Sequence, residues 1–131
     1  MLKIQFSNTN TEVEYLSALE TEEFFNGSSR RTLTITCAPD AISLDALNAL
    51  LTEENLASVT LVNTSAGTDE EGNALTVTNV YDGYVLKLSC GIRNELVQTE
   101  TPDRAAVYED RLVFKLGKRT YIEEQLHKLG L

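Results

Sequence analysis

Residues 74–90 read ALTVTNVYDGYVLKLSC, and the fold class turns on how that stretch bends. Asp82-Gly83 suits a two-residue turn that accepts positive φ at both positions. Folding about it opposes Tyr81 to Tyr84, Asn79 to Leu86, Val77 to Leu88 and Leu75 to Cys90, an almost wholly apolar face. The other face pairs Val80 with Val85, Thr78 with Lys87 and Thr76 with Ser89, and suits water. The alternation predicts a β-hairpin centred on Asp82-Gly83. Beyond it, Gly91 permits a bulge and IRNELVQ (92–98) extends the second strand.

Further alternating runs surround this stretch. RTLTITC (31–37) places Leu33, Ile35 and Cys37 on one face and three threonines on the other, the pattern of a half-buried strand. ASVTLVN (57–63), VYEDRLVFKLG (107–117), LKIQF (2–6) and EVEYLSAL (12–19) predict more strands, and TSAGTDEEGN (64–73) has the composition of an exposed loop. Two segments predict helices. Near 43–52, Ser43 caps a Leu44, Leu47, Leu50, Leu51 stripe, with Asp45 at the positive end. Near 120–129, Thr120 caps, Glu123 and Glu124 fill the first turn, Ile122, Gln125, Leu126 and Leu129 share one side, and Gly130 ends the helix. The expected fold is α+β, mainly antiparallel β, a sandwich or partly open barrel in a single domain over 1–131.

FFNGSSRR (24–31) repeats the hairpin logic around Asn26-Gly27. A two-residue turn opposes Phe25 to Ser28, Phe24 to Ser29, Glu23 to Arg30 and Glu22 to Arg31, so each arginine meets a glutamate across the ladder. The match is expected to fray where Glu20 meets Leu33. Neighbouring residues of a strand point to opposite faces, which leaves one of Arg30 and Arg31 available for docking an anionic partner.

The chain carries 20 Asp and Glu against 11 Lys and Arg, a net charge of −9. Nonspecific nucleic-acid and anionic-membrane binding both require the opposite field. There is no secretory apolar core at the start and no run near the ~20 apolar residues of a membrane span, so a cytoplasmic protein with neither nucleic-acid nor membrane partner is expected. Cys37 and Cys90 each close an apolar run, without the close Cys/His pairs of a metal site, and are expected as free, buried small hydrophobes.

The sequence offers no catalytic constellation, no metal site and no cofactor cradle. His127, the only histidine, sits in the last turn of the C-terminal helix, where it complements the helix dipole. Glu22-Glu23, Glu53-Glu54 and Asp69-Glu70-Glu71 fit turns and helix ends, and the last lacks the spacing of a calcium loop. No glycine-rich phosphate loop is present. Tyr81 and Tyr84, beside Asp82, form the expected contact surface at a hairpin tip; the alternative is that they close the core at the end of a sheet.

The order of SSRRTLTITC, AISLDALNALL, ASVTLVN, VYDGYVLKLSCGI and a polar Tyr-Glu-Asp strand, with the motifs RRTLT and YDGY, resembles small proteins encoded among the tail and baseplate genes of phages and prophages of Gram-positive gut bacteria. The resemblance runs over roughly residues 1–116. It implies a non-enzymatic tail or virion assembly component acting through protein–protein contacts with other virion proteins or as a homo-oligomer. It further implies synthesis in the cytoplasm of the bacterial host and a place in the virion, and it carries over no catalytic residue. Two other classes suit parts of the sequence: an acidic inhibitor mimicking nucleic acid, and a small carbohydrate-binding module stacking sugars on Tyr81, Tyr84 or Tyr108.

Overall fold

The computed structural model describes residues 1–64 and 67–130. Eight strands and three helices follow the order β1 (Leu2–Phe6), β2 (Glu12–Glu14), β3 (Ser17–Phe25), β4 (Ser28–Cys37), α1 (Leu44–Leu50), α2 (Glu53–Leu56), β5 (Ser58–Asn63), β6 (Val77–Asp82), β7 (Leu86–Gln98), β8 (Val107–Gly117) and α3 (Tyr121–Lys128). They build two four-stranded sheets, ordered β2-β1-β5-β6 and β3-β4-β8-β7. Every pairing is antiparallel. The α+β, mainly antiparallel class is therefore as the alternation predicts, in the form of two separate ladders.

One apolar cluster draws on both sheets. Ile4, Phe6, Val13, Val59 and Leu61 come from the first; Leu33, Ile35, Cys37, Leu112, Phe114 and Leu116 come from the second. Leu47, Leu51 and Leu56 of the α1–α2 region, with Tyr15 and Tyr84, complete it. Alternation explains the choice: on β4, Leu33, Ile35 and Cys37 are buried to 1% exposure or less.

The hairpin expected at Asp82-Gly83 does not form. β6 pairs with β5, placing Tyr81 opposite Val59 and Val77 opposite Asn63. β7 pairs with β8 in the other sheet, with Leu86 opposite Gly117. Gly83 does take a positive φ of 84°, but Asp82 does not, so the two-residue hairpin turn is absent. The dipeptide instead carries the chain from one sheet to the other, and the Gly83 amide donates to the Ala57 carbonyl (3.2 Å). A second crossing lies inside the segment expected as one strand over 12–19. Tyr15 donates its amide to Leu2 in the first sheet (3.0 Å), and Leu16 donates to Thr36 in the second (2.7 Å). The expected bulge at Gly91 is also displaced: Gly91 stays in register with Val113, and the irregularities fall between Lys87 and Ser89 and between Leu96 and Gln98.

The hairpin at Asn26-Gly27 forms as predicted, with φ of 54° and 84°. Phe25 faces Ser28, Phe24 faces Ser29, Glu23 faces Arg30 and Glu22 faces Arg31. The ladder does not fray at Glu20 opposite Leu33; it continues to Ser17 opposite Thr36. Both predicted helices are present. Ser43 accepts the Ala46 amide, and Thr120 and Glu123 form a reciprocal capping box. A short helix, α2, follows α1 behind its own cap, Thr52.

The expected loop over 64–73 includes residues 65 and 66, which lie outside the described residues. Its described part turns on Asp69, whose carboxylate accepts the amides of Glu71 and Asn73 at 2.9 Å each. Those donors hold the Asp69 carboxyl below the usual range. Among the described residues, no helix is long and apolar enough to cross a membrane.

Candidate interaction surface

Arg30 lies on the face of β4 opposite the core and is 3% exposed. Its guanidinium donates to Glu123 Oε1 (2.5 Å) and Oε2 (3.1 Å), to the Lys118 carbonyl (3.1 Å) and to the Phe25 carbonyl (3.0 Å). It also stacks 5.6 Å from the Phe25 ring centroid. The bidentate fork fits a carboxylate. Glu123 serves two ends at once, since its Oε1 also accepts the Thr120 amide of the α3 cap (2.8 Å). The Arg30 guanidinium, then the Thr120 amide, hold the Glu123 carboxyl down to about 2.

Arg31 points to the other face and is exposed. It pairs with Glu20, which also accepts the Tyr84 hydroxyl (2.8 Å). The facing glutamates are thus not the ion-pair partners. Glu23, opposite Arg30, bonds Lys115 instead (2.7 Å), and Glu22, opposite Arg31, is bypassed for Glu20. Arg31 reaches diagonally to Glu20, two residues from the glutamate that faces it, whereas Lys115 reaches Glu23 from β8, on the far side of β4.

The tyrosine pair is not the exposed tip that the hairpin reading required. Tyr84 is 1% exposed and Tyr81 is half-buried, and their rings meet edge to face with centroids 6.0 Å apart. Lys118 lies 5.0 Å above the Tyr84 ring. The two rings close the core where the chain changes sheets. Of the five residues expected at a contact surface, Asp82 and Arg31 are exposed, Tyr81 is half-buried, and Arg30 and Tyr84 are buried.

The apolar surface lies elsewhere. α3 is attached by its charged side: Glu123 to Arg30, and His127 Nε2 to Glu53 of α2 (3.2 Å), which Arg119 also contacts (2.9 Å). No residue of α3 is buried. Tyr121, Ile122, Leu126 and Leu129 are 79%, 69%, 43% and 73% exposed, so the helix turns its apolar stripe to solvent. The stripe was legible in the sequence; its direction was not, because Arg30 waits on a distant strand. A second apolar patch, Ile92, Leu96 and Tyr108, lies on the β7–β8 pair, starting level with the last residue of β4 and running past it.

Cys37 and Cys90 are free, Cys37 fully buried and Cys90 partly so. Burial, and then the neighbouring Cys90, push the Cys37 thiol up to about 12. Among the described residues, no three His, Cys, Asp or Glu side chains are grouped to hold a metal ion. No family model matches this chain, and no curated protein or solved structure matches it at a significant level.

Proposed function

We propose that this protein is a non-enzymatic structural component of a phage or prophage tail or virion, working through contacts with other virion proteins. The observation that carries the reading is the outward apolar stripe of α3. A helix attached by ion pairs, with Tyr121, Ile122 and Leu129 in water, offers its apolar side to something outside the domain. The order of elements that resembles phage tail-region proteins supplies the kind of assembly.

Mass spectrometry of purified particles from the phage or induced prophage that encodes the chain tests this. Stoichiometric presence is expected, and Ile122→Glu with Leu129→Glu, both at exposed positions, should abolish incorporation while leaving the fold intact. Absence from particles and from tail-assembly intermediates overturns the reading.

A further inference from the structure

β7 is the longest strand of the fold, 13 residues, and it lies at the edge of its sheet. Alternate backbone amides and carbonyls of an edge strand face outward, a template for another strand unless something covers or blunts it. β4 accompanies β8 only as far as Leu112, opposite Cys37. Past that point the sheet is two strands wide, and a two-stranded ribbon alone in water is marginal. This one also exposes Leu96 at 49% and Tyr108 at 60% on the core-side face, continuing from Ile92, 48% exposed in the last three-stranded row opposite Leu112. On the opposite face the ladder sets Arg93 against Arg111 and Glu95 against Glu109, like charges directly opposed. Arg111 finds Glu109 on its own strand (2.8 Å), but no ion pair among the described residues includes Arg93 or Glu95.

We infer that β7 pairs antiparallel with β7 of a second copy of this chain, about a two-fold axis through Asn94. Such an axis, perpendicular to the sheet, keeps like faces together and must centre on a residue. Centring on Arg93 or on Glu95 places a charge against its own copy. Centring on Ile92 sets Arg93 against Gly91 and leaves it unpaired. Centring on Leu96 runs into the irregularity between Leu96 and Gln98.

The Asn94 register alone gives both charges an opposite partner over positions 92–96 and leaves the irregularity past Leu96 at its ends. Arg93 meets Glu95 of the second copy twice, Ile92 meets Leu96 twice, and Asn94 meets Asn94. An amide is self-complementary there, and Asn94 uses only one N–H at home, to Asp110 Oδ1 (3.1 Å). Two sheets ordered β3-β4-β8-β7 become one of eight strands. The pairing names a second copy as one partner of the structural component proposed above, yet stands or falls separately: particle content tests that role, oligomeric state tests this one.

The test is sedimentation or light scattering of the full chain over a concentration series. The expected species has twice the 14.5 kDa chain mass. Arg93→Glu and Glu95→Arg each place two like-charge contacts in the interface and should weaken dimerisation about tenfold or more. The double reversal Arg93→Glu/Glu95→Arg should restore it, which also shows that the singles did not merely misfold. Asn94→Cys should yield disulfide-linked dimers under mild oxidation while the natural chain does not. A monomer at all concentrations, a dimer indifferent to both reversals, or an Asn94→Cys variant that forms no cross-link overturns the inference.

Discussion

Arg30 and Glu123 are 93 residues apart in the chain, and their side chains meet at 2.5 Å. A strand-borne arginine, 1% exposed at its side chain, is neutralised by the capping-box glutamate of a helix with no buried residue of its own. The pair, more than any apolar contact, holds α3 in place.

Glu123→Ala should therefore destabilise the protein by about 2 kcal/mol. That is below the ~3–5 kcal/mol of a fully buried pair, because the Glu123 side chain is 33% exposed. Arg30→Met combined with Glu123→Gln should cost less than Glu123→Ala, since no uncompensated charge is left inside. Urea midpoints of the two variants against the natural chain decide it; equal losses would mean that the charge itself contributes nothing.

The same pair predicts a pH dependence. The Glu123 carboxyl is lowered in the folded state from 4.5 to about 2, so its stabilisation is present above its unfolded value. It is lost as pH falls from about 4.5 through about 2. Glu20, lowered by Arg31 and Tyr84, acts in the same direction. Denaturation at a series of acid pH values should show stability falling through this window, with a shallower slope in Glu123→Gln.

Gly117 on β8 sits under Leu88 and Arg30. A Cβ there would lie 2.9 Å from Leu88 Cδ1 and 3.1 Å from Arg30 Cδ. Gly117→Ala should cost ~1–3 kcal/mol by overpacking, through displacement of the Arg30 stem. A thermal melt checks it, and an unchanged Tm would show that Leu88 simply rotates away.

Cys37, fully buried with its thiol raised to about 12, should resist a thiol reagent at mildly alkaline pH until the protein unfolds. Cys90, partly exposed, should react first. Counting modified thiols by mass spectrometry with and without denaturant separates the two, and rapid native labelling of Cys37 would contradict its burial.

Local chemistry in the sequence was a reliable guide where the decision is local. Asn26-Gly27 supplies two positive φ values and the hairpin forms around it. Ser43 and Thr120 cap the helices they precede. Asp82-Gly83 looked equally decisive and misled, because the alternation on either side serves any antiparallel neighbour. Val77 finds Asn63 and Leu86 finds Gly117, so the strands flanking the turn part company. The expected contact surface depends on that turn. Tyr81 and Tyr84 belong at a tip only if the hairpin exists, and Arg30 belongs at a surface only if α3 lies elsewhere. Pairing partners far along the chain settled both.

The three changes of sheet, at Tyr15-Leu16, through the α1–α2 segment and at Asp82-Gly83, have a consequence for how the molecule is made. Each sheet takes strands from both halves of the chain, β1 waiting for β5 and β4 for β8. A ribosome that has delivered β1 to β4 has delivered two unfinished ladders with open edges. Nothing on the N-terminal side can finish folding ahead of the rest, so completion comes late, once β8 is released. Neither half expressed alone should hold its shape, whereas the two halves mixed together should complement each other.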